Sequence, residues 1–224
     1  MELQTLLRYT FIPASIATLL ACSSADTGTS TPTPTSTTIS GSIFAAPVSN
    51  ANVSVKSGVN TIAEPATPTG SDGSYTVTID NTDLASALVF ESTGGTFTDE
   101  ATGDPDIPAG PMSVMTEAGS LSSTSNSVHA TPGSTIIHEL VSQYSMSMTD
   151  AQNAYAGAFG YTLDTSIAPT NAANPATDAD DAQKLEGLRA AAFSQLAMEL
   201  GLTPAQQFDL FDALALDLSL IHIS

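Results

Sequence analysis

The chain has 224 residues and carries 23 acidic against four basic side chains, which gives a formal net charge of −19. A chain this acidic repels nucleic acid and anionic lipid, so it lacks the electrostatic character of a nucleic-acid binder. Its one cysteine, Cys22, leaves no pair for a disulfide and no cysteine set for a zinc site.

A short apolar segment precedes that cysteine. Residues 11–21 read Phe-Ile-Pro-Ala-Ser-Ile-Ala-Thr-Leu-Leu-Ala, after a weakly basic opening at Arg8. The segment is about half as long as the ~20 residues of a membrane-spanning helix, and its length suits the apolar part of a secretory signal.

The end of this segment, Leu19-Leu20-Ala21-Cys22, resembles the lipobox of bacterial lipoproteins. The resemblance implies that residues 1–21 are a signal peptide, and that Cys22 becomes the acylated N-terminus that anchors the chain to a membrane. The lipid anchor implies an extracytoplasmic protein, and because no aspartate follows Cys22, we expect it at the outer membrane where the host has one. An ordinary signal peptide that contains a cysteine is the alternative.

The next segment, 22–38, is a linker rich in Ser, Thr and Pro. It lacks large apolar side chains and cannot form a core. Thr-Pro repeats favour extended chain, so at ~3.1 Å per residue the linker would reach roughly 50 Å.

Short alternating segments follow over residues 39–130. Ile39, Ile43, Val53, Val55 and Val77 each alternate with polar neighbours, and Gly70-Ser71-Asp72-Gly73 reads as a tight turn. Further strands are indicated at 88–90, 95–98, 113–116 and 127–130. Short strands separated by turns predict an antiparallel β-sandwich.

Three segments carry a resemblance to a known family. Residues 39–43 (Ile-Ser-Gly-Ser-Ile), 46–55 (Ala-Pro-Val, then Ala-Asn-Val-Ser-Val) and 72–77 (Asp-Gly-Ser-Tyr-Thr-Val) are similar to the carboxypeptidase regulatory-like, or transthyretin-like, β-sandwich. The resemblance covers about residues 39–92 and implies a fold, since such domains are accessory modules without catalytic residues of their own.

Residues 131–217 have helical periodicity. Thr131-Pro132 is typical of a helix start, and a second helix is expected to end at Gly160. A third is predicted from about 180 to Leu200, with an apolar stripe of the kind that packs against another helix. A fourth begins at Thr203-Pro204. The stripe of the third helix comprises Leu185, Leu188, Ala192, Leu196 and Leu200.

The last seven residues, 218–224, read Leu-Ser-Leu-Ile-His-Ile-Ser. They resemble the translation of a transposon-derived sequencing adaptor. We expect the gene's own sequence to stop near Asp217 and the natural protein to be longer, with a genuine tail as the alternative.

Two acidic clusters are the candidate metal sites. Asp99, Glu100, Asp104 and Asp106 surround Gly103, and clustered oxygen ligands in a loop suit calcium. A solvated loop is the alternative. The second cluster, Asp178, Asp180 and Asp181, suits either calcium or the N-terminus of the third helix.

No catalytic constellation is evident. His138-Glu139 lacks a second histidine four residues on, so the zinc-protease motif fails, and His138 is expected to be half-exposed. A serine nucleophile would need His129, His138 or a lysine as its base.

Together these features predict an α+β protein, with an antiparallel β-sandwich followed by a helical region. We expect a non-enzymatic, surface-displayed lipoprotein that binds a membrane through its lipid and a protein or polysaccharide ligand through its folded part. The alternatives are the anchor and accessory domain of a longer, truncated secreted enzyme, or a weak calcium-dependent binder.

Overall fold

The computed structural model describes residues 35–222, which form an α+β fold. The signal peptide, Cys22 and most of the linker lie outside the described residues. The described part contains nine strands and four α-helices: β1 Ser36–Ile43, β2 Asn52–Ser57, β3 Asn60–Ala63, β4 Ser74–Asp80, β5 Leu88–Thr93, β6 Thr96–Phe97, β7 Ile107–Pro108, β8 Met112–Thr116, β9 Asn126–Ala130, α1 Pro132–Ser142, α2 Met148–Phe159, α3 Asp181–Glu199 and α4 Gln207–His222.

The first sheet has the strand order β4-β1-β9. Strand β1 pairs with β4 in antiparallel register but with β9 in parallel register. The expectation of a wholly antiparallel arrangement is therefore wrong at this pair. Parallel partners require a long connection, and here most of the sheet region separates β1 from β9, so no local turn signal could indicate their direction.

The second sheet has the order β3-β2-β5-β8 and is antiparallel throughout. Strand β3 was not expected from the sequence. None of its residues is buried, so its sequence does not show the apolar–polar alternation of a half-buried strand. A third sheet pairs only β6 with β7, where Phe97 lies opposite Ile107.

Side chains from both larger sheets contribute to one buried apolar cluster. The ring of Tyr75 in the first sheet lies 6.2 Å from that of Phe90 in the second. The Tyr75 hydroxyl donates a hydrogen bond to the Val128 carbonyl at 2.8 Å. Gly41 makes this possible, because a Cβ there would lie 1.8 Å from that same carbonyl oxygen.

Helix α1 joins the helical region to the second sheet through buried hydroxyls. Thr131 caps the helix as expected, and it exchanges hydrogen bonds with Ser134. Ser134 Oγ donates to the Ser113 carbonyl of β8 at 2.8 Å, and Thr135 Oγ1 accepts from the Ser113 N–H at 3.1 Å. The free edge of β8 is thus closed by a helix instead of another strand.

The next two helices begin and end at recognisable caps. Ser147 caps α2, and Gly160 ends it in the left-handed conformation, as predicted. Asp180 caps α3 by accepting from the Gln183 N–H at 2.8 Å, and Asp181 lies in the first turn of that helix. Asp178 and Asp181 are exposed.

The apolar stripe predicted on α3 does not face the protein. Leu185, Leu188 and Leu200 are 47%, 57% and 59% exposed. The buried face is instead Glu186, Gly187, Ala190, Phe193, Ser194 and Ala197. We call the outward stripe of Leu185, Leu188, Ala192, Leu196 and Leu200 the leucine face.

Helix α4 packs Phe208 and Phe211 into the core, as predicted, and continues beyond Asp217. Leu218 joins the core cluster with 7% of its surface exposed. The proposed boundary at 217 stays a prediction. Among residues 35–222, no helix is long and apolar enough to cross a membrane.

The close contact at Gly187 yields a test of this packing. A Cβ there would lie 1.8 Å from the Thr170 carbonyl oxygen, so Gly187→Ala should cost about 1–3 kcal/mol of stability. Gly157→Ala is the matched control, because nothing lies within 4 Å of its Cβ position and α2 should gain about 0.5–1 kcal/mol. Urea unfolding followed by circular dichroism measures both, and equal effects would contradict the packing described.

Candidate functional site

The buried acid of the predicted calcium cluster is used internally. Asp99 is 2% exposed, and its carboxylate accepts hydrogen bonds from Ser194 Oγ on α3 and from the N–H and Oγ1 of Thr102. Both of its oxygens therefore already have partners. Asp99 ties the 99–104 loop to α3.

The other three acids of this cluster divide between two environments. Glu100 accepts from the Ala172 N–H at 2.8 Å, which ties the same loop to the segment before α3. Burial raises the pKa of Glu100, and the N–H groups of Ala172 and Ala173 oppose that shift. Asp104 and Asp106 are exposed.

The four predicted ligands therefore do not converge. In the part of the chain that the structure describes, no group of three or more His, Cys, Asp or Glu side chains could hold a metal ion. Calcium binding at Asp99, Glu100, Asp104 and Asp106 stays a prediction, with two of its four carboxylates engaged by protein donors.

The parallel pairing of β1 with β9 places Ser42 opposite His129. Ser42 Oγ lies 2.8 Å from His129 Nδ1, and both residues are buried, at 8% and 6% exposure. Sequence reasoning missed this pair because only the strand register reveals it. Neither side chain lines the clefts described below, so the pair has the geometry of a buried structural hydrogen bond.

His138 is buried, at 9% exposure, so the expectation of a half-exposed residue is wrong. Burial lowers the pKa of its imidazole, while the carboxylates of Glu139 and Glu91 oppose this shift and the ammonium of Lys56 adds to it. Its Nδ1 has no hydrogen-bond partner. We expect the neutral imidazole at pH 7.

A polar cleft of about 350 Å³ lies beside β2. Its lining includes Asn52, Ser54, Glu64, Thr67 and Thr93. These groups could hydrogen-bond a polar ligand, but the lining offers no aromatic face on which a sugar ring could stack.

A second cleft, of about 290 Å³, adjoins the leucine face and is mostly apolar. Its walls come from the end of α2, the residue after Gly160 and α3. The lining comprises Phe159, Tyr161, Arg189, Ala192, Phe193 and Leu196.

Arg189 supplies the one charge of this cleft. Its guanidinium lies 3.8 Å from the centroid of the Tyr161 ring, a cation–π contact, and it forms an ion pair with Glu186. Burial raises the pKa of Glu186, and its hydrogen bond with Arg189 opposes the shift. The three-residue spacing of Glu186 and Arg189 could have indicated this pair from the sequence, whereas the approach of Tyr161 could not be foreseen.

Comparisons of the chain with protein-family models, with curated proteins and with solved structures each found no match. Among residues 35–222, the exposed large apolar side chains concentrate on the helix that carries the leucine face. Four of the seven large apolar residues exposed in the described part lie on α3 or its C-cap: Leu185, Leu188, Met198 and Leu200.

The buried His129 predicts a loss of stability in acid. Burial lowers its pKa from the ordinary value of 6.5 to about 4. Between these values the unfolded chain binds more protons than the folded one. The stabilising contribution is therefore complete above pH 6.5 and is lost as the pH falls towards 4, at ~1.4 kcal/mol per pH unit.

Replacement of His129 by Asn, which cannot be protonated, should lower the free energy of unfolding at pH 7. It should also reduce the slope of that free energy against pH by up to ~1.4 kcal/mol per pH unit, the contribution of one proton. Urea unfolding at pH 7, 6 and 5 measures the slopes of the two proteins. His138→Asn is the comparison variant and should flatten the dependence less, because the carboxylates of Glu139 and Glu91 oppose the lowering of its pKa by burial. Parallel slopes for His129→Asn and the parent chain would contradict the prediction.

Proposed function

We propose that this protein is a lipid-anchored, non-enzymatic interaction module that contacts a partner through the leucine face of α3. The observation that carries the proposal is the exposure of Leu188, at 57%, within a stripe whose neighbours are also apolar. Contiguous exposed apolar surface is a mark of an interaction site.

The anchor follows from the N-terminal sequence. Leu19-Leu20-Ala21-Cys22 supplies the lipobox, and Cys22 carries the acyl chains. A Ser/Thr/Pro linker of this length would let the folded part reach at most roughly 50 Å from the membrane. In a diderm host we place the protein at the outer membrane.

The folded part would serve as a rigid scaffold. We take its two larger sheets to be the layers of a carboxypeptidase regulatory-like sandwich followed by the helical region. The contact between the Tyr75 and Phe90 rings, one from each sheet, supports this arrangement. So does the turn at Asp72-Gly73, where Asp72 accepts from the Ser74 N–H at 3.0 Å.

A non-enzymatic role agrees with the positions of buried titratable side chains that bond to other groups of the protein. Asp99 and His129 lie in the interior and join separate segments of the fold, and the buried Glu186 pairs with Arg189 of its own helix. A general base must reach its substrate, and these groups are turned to neighbours within the protein.

The anchor predicts the behaviour of a Cys22→Ala variant. Without the thiol the chain cannot be acylated, so it should take up no radiolabelled palmitate and should keep its first 21 residues when expressed in a diderm bacterium. Ser23→Ala, one residue away, should be labelled and processed like the parent chain. Labelled or processed Cys22→Ala protein would remove the anchor from the proposal.

Because most leucines of the leucine face are exposed, we expect their side chains to add little to the free energy of unfolding. Leu188→Gln should change the free energy of unfolding by no more than about 0.5 kcal/mol, because the side chain is exposed. Phe193→Ala, on the buried face of the same helix, should cost about 3–5 kcal/mol. A large loss of stability in Leu188→Gln, measured by urea unfolding, would make the leucine face structural and overturn its role in binding.

A further inference from the structure

The leucine face has the spacing of a helix-packing seam. Leu185, Leu188, Ala192 and Leu196 follow one another at intervals of three, four and four residues. In an ideal helix they lie within about 80° of arc. Such a stripe packs against another helix, and its exposed leucines show that the described part of this chain leaves it largely uncovered.

We infer that the partner is a second copy of this chain, with the two α3 helices packed antiparallel about a twofold axis at Ala192. The inference rests on the proposed function, since it names the partner of the same face. A twofold interface requires one surface patch to be complementary to itself. The side chains of α3 meet that requirement.

The register of an ideal helix supplies the apolar matches. With the axis at Ala192, Leu188 of one copy lies level with Leu196 of the other, because both are four residues from the centre. The small side chain at the centre lets the two helices approach closely. The apolar cleft beside Ala192 and Leu196 offers room for a side chain of the second copy.

The same register supplies a charge match. Lys184 lies eight residues before the centre and Glu199 seven residues after it. Lys184 of one copy is therefore within about 1.5 Å, along the axis, of Glu199 of the other, on the same side of the seam. In the parallel orientation Lys184 would meet Lys184 and Glu199 would meet Glu199. Charge complementarity thus selects the antiparallel pair.

The high net charge weakens this pairing without preventing it. Each copy has a formal net charge of −19, but charges more than about 8 Å apart are largely screened at physiological ionic strength. A seam of this length should be weak in dilute solution. Anchoring on one membrane raises the local concentration of the copies and favours the pair.

Cysteine cross-linking of the full chain in membranes tests the inference. Ala192→Cys should form a disulfide-linked dimer on mild oxidation, because the two introduced thiols meet at the axis. Leu185→Cys is the matched control on the same face. Its two thiols would be about 21 Å apart in the antiparallel pair, too far for a disulfide, but adjacent in a parallel pair.

Maleimide labelling of the chain without introduced cysteines tests the proposed anchor independently of the proposed pairing. The one cysteine of that chain is Cys22. If Cys22 is acylated, the unmodified chain neither reacts with maleimide nor forms a disulfide. A reactive thiol there would count against the anchor, and cross-linking of Ala192→Cys would then be repeated with Cys22→Ala to keep the inference testable.

A charge exchange tests the register. Lys184→Glu should lower the cross-linking of Ala192→Cys roughly three- to tenfold, and the double variant Lys184→Glu, Glu199→Lys should restore it to within about twofold. Efficient cross-linking of Ala192→Cys alone, with this rescue, supports the antiparallel pair. Absence of cross-linking in Ala192→Cys, equal cross-linking in Leu185→Cys, or no rescue would overturn it.

Discussion

The hydrogen bonds between β8 and the first turn of α1 hold the two parts of the fold together. Ser113 lies on an edge strand, where its N–H and C=O would otherwise face away from the sheet unpaired. Thr135 and Ser134 satisfy both groups, and all three residues are buried. The helices therefore continue the core of the sheets, and α3 is held in a fixed place by its contacts with that core.

Carboxylates of this chain stabilise the interior with few cations to help them. Asp99 uses hydroxyl and N–H donors, and Glu100 uses N–H donors of the segment before α3. Glu186 instead has Arg189. Because buried carboxylates require such donors, the irregular segments around them must keep their conformation for the protein to remain stable. Two of the four acidic residues that the sequence suggested as calcium ligands, Asp99 and Glu100, thus have a structural role as hydrogen-bond acceptors inside the fold.

The sequence was sufficient for several features that are determined locally. The caps at Thr131 and Gly160 follow from residue type, and the strands around Val55 and Val77 follow from alternation. Contacts between distant segments were not accessible in this way. The approach of Ser42 to His129 depends on a parallel pairing across 87 residues, for which no local signal exists.

The orientation of α3 shows why hydrophobic periodicity alone can mislead. Leucines contribute most to any sequence-based choice of the buried face of a helix. In α3 they led to the wrong choice, because their face points outward. The inward face contains small residues, and at Gly187 the helix comes too close to the Thr170 carbonyl for any side chain. Close approach of backbone to backbone, which stabilises through dispersion and exclusion of water, leaves little trace in hydropathy.

The outward leucines then need a reason that folding does not supply. An exposed leucine gains little of the roughly 2 kcal/mol that burial of its side chain would give, and glutamine would suit the same helix position equally well in water. A stripe with seam spacing, flanked by Lys184 towards one end and Glu199 towards the other, is suited to meet a reversed copy of itself. With the membrane anchor that we propose, such a seam would stabilise pairs at local concentrations that free diffusion in solution would not reach.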